Sequence, residues 1–338
     1  MAASRKPPPL LLALLAVTGV VVVQALLVPL FASVAANSEP RDLPVVVAGP
    51  LPATEGFAAR LAQVRPGAFE VTQVADTDAA LAALRDREAY AAFLLVPDGV
   101  ESLFLASAAS PAVAQVLTQA VTELNQGAPP SIVDLVPGSP DDPRGAGLGA
   151  GFLPLVLTSM LAGVALVVAV SGRWARLFGL VWYGVLAGLA SAAVMNIGLG
   201  VVDGSYLASA AVLGLIAIAA AGTVAGLGAA LGAPGLGLGA LLIFLVGNPL
   251  SAVSSAPEML PQPWGEVGQW LPPGAGATLL RSVSWFDGAG ATRPLWVLSG
   301  WAVLGFVLVL VGRARMAAAW RESSPSTSGG SDVLVTSG

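Results

Sequence analysis

Cysteine and histidine are both absent from the 338 residues, and Lys6 is the only lysine. Without cysteine there are neither disulfides nor thiol chemistry, and the redox compartment is not legible. Without histidine there is no HExxH zinc-peptidase motif and no Ser-His-Asp relay. With its one lysine at position 6, the chain has no GxxxxGK[ST] phosphate loop. Charge is scarce as well: Asp, Glu, Lys and Arg make up 10% of the chain against 56% hydrophobic residues, where soluble domains are about a quarter charged. Together with a mean hydropathy of +0.81, this is the composition of an integral membrane protein in a lipid bilayer. No cofactor and no nucleic-acid partner is expected, and abundant Ala, Gly, Val and Pro with Arg in place of Lys is an actinobacterial-type composition.

What is present is arranged as apolar runs with charged punctuation. Arg5 and Lys6, in a cytosolic N-terminus (1–9), precede a first run over 10–35, long enough for a hydrocarbon core of about 30 Å. Val34-Ala35-Ala36 fits a signal-peptide cleavage pattern, but a signal core runs only about 7–15 residues, so an uncleaved first span is expected. Residues 36–149 are water-soluble, with fourteen acidic residues against six arginines. Further spans are expected at 152–171, 177–200, 206–231, 236–254 and 294–312, with an interfacial hairpin at 255–293 and a disordered cytosolic tail at 313–338. Of the nine cations outside the acidic segment, seven (Arg5, Lys6, Arg173, Arg176, Arg313, Arg315, Arg321) then fall on one side, and only Arg281 and Arg293 do not. The positive-inside tendency makes that side the cytosol. The expected fold is an α-helical polytopic membrane protein of six transmembrane helices, both termini cytosolic, with an inserted extracytoplasmic α/β domain and a five-helix membrane domain over 150–312.

Within 36–149, Val45 to Val47, Phe69 to Val74, Ala91 to Val96 and Ile132 to Val136 read as strands. Thr54 is the expected cap of a helix burying Phe57, Leu61 and Val64, and Leu81 and Leu84 mark a second. Ser110-Pro111 opens a third, whose stripe is Val113, Val116, Leu117, Ala120, Val121 and Leu124. The first strand turns through AGPLPATEG, without the GxGxxG dinucleotide spacing. The acid pairs Asp76/Asp78 and Asp141/Asp142 read as caps or surface, so no catalysis is expected.

The apolar runs lack carboxylates and cations over 145–172, 177–202 and 204–257. Such groups are costly in lipid and mark the pathways of ion-driven carriers, which disfavours a carrier of that kind. Gln24, Thr158, Ser159, Ser191, Asn196, Thr223 and Asn248 read as interhelical hydrogen-bonding groups. GxxxG spacings at Gly184/Gly188, Gly222/Gly226 and Gly235/Gly239 permit close helix packing.

Residues 248–294 carry Trp264, Trp270 and Trp285 among prolines and glycines. Indole rings favour the membrane boundary, and Pro and Gly interrupt a continuous helix, so a half-inserted helical hairpin is expected. Trp264, Trp270, Pro272, Pro273, Gly274, Arg281, Trp285 and Asp287 are its candidate gate residues. Arg281 is expected to snorkel to headgroups or to pair with Asp287 or Glu266.

The stretch LPPGAGATLLRSVSWFDGAG, Leu271 to Gly290, resembles the segment before the last span in the type-two permease family of ABC exporters, in the branch related to the phage infection protein. YAAFLLVPDGV, Tyr90 to Val100, is similar to that branch's outer-domain strand. The resemblance implies a permease that pairs as a homodimer, or as a heterodimer with a related permease, and binds a separate ABC ATPase. It would export a lipid, glycan, peptide or drug across a bacterial plasma membrane. The family's interfacial helix before the first span has no counterpart in residues 1–9, which leaves Arg173, Trp174 and Arg176 as the candidate ATPase-contact loop. The alternative is a non-transporting receptor or assembly factor whose outer domain binds a partner. On either reading the chain itself is not an enzyme.

Overall fold

A computed structural model describes residues 8–97, 99–124 and 131–312. The expected tail 313–338, most of the N-terminus, Asp98 and the cations Arg5, Lys6, Arg313, Arg315 and Arg321 lie outside the described residues.

Among the described residues five helices are long and apolar enough to cross a membrane, which makes the chain a multi-pass membrane protein. The first, α1 (Pro9–Ala36), is apolar all round, and every described side chain from Leu10 to Leu26 is exposed, as a lipid-facing helix requires. The others are α5 (Ala146–Ala169), α6 (Arg173–Ala192, continued as a π-helix to Gly198), α7 (Tyr206–Leu231) and α11 (Thr292–Val311).

Between α1 and α5 lies a sheet of order β2-β1-β3-β4-β5. Its strands are β1 (Leu43–Ala48), β2 (Phe69–Gln73), β3 (Ala91–Val96), β4 (Gly99–Leu105) and β5 (Ser131–Asp134), joined in part by α2 (Leu51–Val64), α3 (Thr77–Arg85) and α4 (Pro111–Leu124). β1 lies parallel to β2 and β3, β4 runs antiparallel to β3, and β5 parallel to β4. The period-2 rule sorts β1 between two cores. Val45 and Val47 pack with Phe57 and Leu61 of α2 and Val113, Leu117 and Val121 of α4, while Val46 and Ala48 pack with Ala80 and Leu84 of α3. Ser110 Oγ accepts from Val113 N at 3.3 Å and Asp76 Oδ1 from Ala79 N at 2.8 Å, two of the expected caps. Thr54 is not a cap: Pro50 precedes α2, and Thr54 bonds the carbonyl of Leu51 inside the first turn.

In the membrane bundle α7 is central, with 78% of its span buried against 22–33% for α5, α6 and α11. Its small residues let neighbouring backbones approach. A side chain at Gly188 would strike the Ala210 carbonyl, and one at Gly305 would lie 2.6 Å from the Gly222 oxygen. Tyr183 OH ties α6 to α5 through Thr158 and Ser159, each at 3.2 Å, and Asn196 Nδ2 donates to Ser209 Oγ at 3.3 Å. Thr223 instead bonds its own helix at Ala219 O.

The fifth expected span is where expectation and structure part. The segment 236–254 is helical only over 233–246, as α8 (Ala233–Ala240) and a π-helical continuation Leu241–Val246. Fourteen residues reach only about 21 Å, short of a full span. Gly247, Asn248 and Pro249 end the helix, since proline has no N–H to give and crowds the preceding turn. Ser251 then closes a turn onto Asn248 O.

The missing length is supplied by α10 (Pro272–Trp285), which continues along the same side of α7. Side chains added at Gly235 and Gly239 would meet Leu227 and Val224, at Gly247 Pro273, and at Gly276 Ile216, while one at Gly204 would meet Ser284. Read along α7, α8 therefore covers the second half and α10 the first, both antiparallel to α7. Residues 247–271 leave this line and come back to it. They form a 3-10 turn (Pro257–Met259) against the sheet domain and then α9 (Trp264–Gln269) beside α11. Glu266 pairs with Arg293 near the start of α11, whereas the Trp270 carbonyl accepts Trp301 Nε1 at 2.8 Å. From Arg293 to Trp301 is about 12 Å along a helix, so α9 and α10 form a hairpin that descends beside α11 and returns.

The apolar helices nearest the spans expected at 152–171, 177–200 and 294–312 are Ala146–Ala169, Arg173–Gly198 and Thr292–Val311. The sheet domain and the open ends of α5, α7, α10 and α11 share one end of the bundle. The turns at Gly172 and Gly232, with Gly312, share the other, where added atoms at Gly228 would meet Leu236 and Val167, and at Gly312 Ala229.

Candidate functional site

A cluster of polar and charged side chains lies where the sheet domain rests on the α9–α10 hairpin. Two strands of contact make this seam. The first is a loop: Ala256 and Met259 enter the core beneath β1 and β3, and the carbonyls of Glu258 and Met259 accept the backbone N–H groups of Arg41 (3.0 Å) and Glu39 (3.1 Å). Tyr90, at the head of β3, donates its hydroxyl to Glu258 Oε2 at 2.8 Å.

The second is Arg87. It follows α3 with φ +60°, a left-handed conformation uncommon for a side-chain-bearing residue, and this turn aims its side chain at α10. Nη1 donates to the Thr278 carbonyl at 2.8 Å and to Ser282 Oγ, and the guanidinium lies 5.5 Å from the Phe286 ring centroid. Phe286 in turn completes the sheet face that α3 leaves open. Burial pulls the Arg87 pKa below its ordinary value, with Tyr90 and Glu258 opposing. Burial first, and then Glu258, push the Tyr90 hydroxyl well above the usual phenol range.

Between these contacts is a cavity of about 250 Å³ lined by Arg87, Tyr90, Glu258, Glu266, Gln269, Thr278 and Arg293, with Pro44, Pro257 and Pro294 in its walls. Glu266 is paired with Arg293, whose guanidinium stacks 4.9 Å from the Trp270 ring. Gln269 accepts the Thr278 hydroxyl at 2.6 Å, and its Nε2 is buried without a partner among the described residues.

The expected gate residues are divided by this geometry. Pro272, Pro273 and Gly274 form the buried first turn of α10, Gly274 pressed on the Gly268 carbonyl. Trp264 and Trp270 are exposed, at the top and the tip of the hairpin, while Trp285 turns inward and donates Nε1 to Asp203 Oδ2 at 3.0 Å. The three indoles therefore do not form one ring at one level. Asp287 is exposed, with no hydrogen bond or ion pair among the described residues.

Arg281 differs most from expectation. It is 4% exposed, and it pairs with neither Asp287 nor Glu266 but donates to the Val253 carbonyl. The loop 248–255 folds back over α10 and leaves that carbonyl without a helical partner, which the guanidinium satisfies. Of the two cations that broke the charge pattern, one is thus bound to backbone and the other, Arg293, to Glu266.

The expected ATPase-contact loop is divided too. Arg173 and Trp174 are exposed. Arg176 is buried, donating Nε to Val170 O at 3.0 Å and Nη2 to Val167 O at 3.1 Å, and so caps the last turn of α5.

Arg87, Tyr90, Gln269, Thr278 and Ser282 escaped the reading of the sequence. Arg87 lies in the charge run Arg85 to Glu88, which looks like a solvated turn. One signal was available: Glu258 is the first carboxylate after Asp203, and a lone acid beyond so long an uncharged stretch calls for a partner. Comparison of the chain with family models, with curated proteins and with solved structures finds no match in any of the three.

Proposed function

We propose that the chain is the membrane-spanning permease subunit of an ABC-type exporter, working with a separate ATPase and a second permease copy to move a lipid, glycan, peptide or drug outward. The observation that carries this reading is the interrupted span. A short helix, an excursion to the sheet domain and a hairpin returning beside the last helix put the stretch that resembles the permease family, 271–290, at the joint between the membrane bundle and the sheet domain. A substrate leaving the bilayer on that side meets the hairpin, and a shift of the sheet domain moves the hairpin through Arg87 and Glu258. Hydrolysis belongs to the partner, and Arg173 and Trp174 are the exposed groups left to receive it. The deciding experiment is purification of the tagged chain in mild detergent from its native bacterium. An ATPase is expected to co-purify, with activity that changes when the chain is removed. Absence of any ATPase, with export unaltered by deletion, rejects the reading.

The same seam supports a second reading, a receptor or assembly factor, because the sheet domain is bound to the hairpin by backbone and side-chain bonds alike. Co-purification of an outer-domain partner that is lost on mutation at the seam, with no ATPase in the complex, would favour it.

In either case the sheet domain lies outside the bacterial plasma membrane and both termini in the cytosol, the orientation that puts Arg173 and Arg176 inside. With no native cysteine, single replacements report cleanly. Glu101→Cys is expected to react with an impermeant maleimide on intact cells and Trp174→Cys only after lysis. The opposite pattern overturns the orientation.

A further inference from the structure

The two edges of the sheet are not alike. β2 carries an exposed glutamate, Glu70, within the strand, a charge of the kind that keeps other strands from adding to an edge. β5 has no lysine, arginine or proline, and it pairs with β4 without a bulge. Ile132 and Val133 are 39% and 41% exposed on its opposite faces. Its one acid does not guard the edge, because Asp134 is turned back onto Ser107, accepting the backbone N–H at 3.2 Å and the hydroxyl as well.

The pairing also shows which backbone groups are free. Leu135 N donates to Leu105 O at 2.8 Å, and the register sets Leu103 beside Ile132 and Leu105 beside Asp134. Alternate residues of a paired strand turn their backbone groups to the same neighbour, so Ser131, Val133 and Leu135 face β4. The N–H and C=O of Ile132 and Asp134 face away, and none of these four groups has a partner among the described residues. Beside this edge, on the side of the sheet that packs on α4, is a groove of about 690 Å³. Gln115, Thr118 and Gln119 of α4 line one side of it and Leu105 and Ile132 the other. Asp134 is the one charged side chain in the lining, and no cation pairs with it among the described residues.

We propose that β5 and this groove are a docking site for an extended, basic peptide segment of a partner protein, which adds to the sheet as a sixth strand. The free groups of Ile132 and Asp134 supply main-chain hydrogen bonds, and every second side chain of the added strand enters the groove. There the α4 amides and hydroxyl, with Ile132, fit β-branched residues, and Asp134 favours lysine or arginine. The surroundings have the same sign, with fourteen acidic residues to six arginines over 36–149. A second copy of this chain would instead set one acidic domain against another. The site gives the sheet domain a partner under either reading of the function, and its test uses the purified chain, so absence of an ATPase leaves it standing.

The full-length chain in phosphatidylcholine nanodiscs is panned against a random dodecapeptide library displayed on phage, after empty nanodiscs have removed lipid binders. Recovered sequences are expected to alternate β-branched with polar residues and to carry lysine or arginine. A synthetic peptide of the recovered sequence is expected to bind Ile132→Pro about tenfold more weakly, the worth of about one hydrogen bond. Proline at 132 removes an N–H that points away from β4, so the thermal midpoint is expected to hold. Ile132→Lys keeps that N–H and sets a like charge against the basic peptide; it is expected to lose affinity to a similar extent and serves should the proline disturb the strand. No enrichment over empty nanodiscs, an acidic or patternless consensus, or equal affinity for the native chain and both variants rejects the site. A native chain that self-associates and that Ile132→Pro renders monomeric overturns the proposal by assigning the edge to a second copy.

Discussion

Gly305→Val is expected to separate α11 from α7 and to leave little folded protein after mild heating. A Cβ at Gly305 would lie 2.5 Å from the carbonyl carbon and 2.6 Å from the oxygen of Gly222, and both are backbone atoms that no rotamer change can move. The helices must therefore part along the line where α7 is most buried. Overpacking a tight contact costs about 1–3 kcal/mol even when side chains can yield, so a clash against backbone is expected to reach about 3 kcal/mol or more. Gly300 is on the same helix with nothing within 4 Å of its would-be Cβ, and Gly300→Val supplies the matched control. The measurement is the monodisperse fraction by fluorescence-detected size exclusion after a temperature series. Equal midpoints for the two variants would show that the α7–α11 contact is not as close as described.

Arg87→Ala is expected to loosen the hairpin without unfolding the bundle. It removes two hydrogen bonds from a charged donor and the stacking on Phe286. Hydrogen bonds of this kind contribute about 1.5–3 kcal/mol each, and part is recovered when water reaches the vacated space. A loss of about 3 kcal/mol at the seam corresponds to amide exchange about a hundredfold faster in α10, while the amides of α7 keep their protection. Mass-spectrometric hydrogen exchange on the detergent-solubilised chain reads both helices at once. Unchanged exchange over 272–285 would mean that Arg87 does not hold the hairpin. Equal acceleration in α7 would mean that the damage is global.

Local patterns carried most of the fold. AAFLLV became β3, Ser110-Pro111 opened α4, and the uncharged run at 206–231 became the central helix over the same residues. β4 was missed because Pro97-Asp98-Gly99 reads as a terminator and GVESLFL carries a glutamate. Only its alternation survives as a signal, with Leu103 and Leu105 buried. The span expected at 236–254 failed for the opposite reason: hydropathy stays high beyond Pro249, and an average over apolar residues does not register a missing N–H. The seam was the least legible part. Whether an arginine snorkels, pairs or caps a carbonyl depends on a partner elsewhere in the chain. Arg281 finds its own 28 residues away at Val253, and Arg87 finds Thr278 at a separation of 191. No periodicity within one element encodes such distances.

The break between α8 and α10 has an electrostatic consequence. Where Gly247 meets Pro273, the carbonyl end of one helix faces the amide end of another part-way along α7, so two partial charges of opposite sign are brought together rather than left singly in an apolar medium. Pro272 and Pro273 occupy the first two positions of α10 and so remove two of the four N–H groups that a helix start leaves unpaired. Dipole alignment and two missing hydrogens thereby reduce what the discontinuity asks of polar side chains, and Ser251 and Arg281, which donate to the carbonyls of Asn248 and Val253, meet the rest.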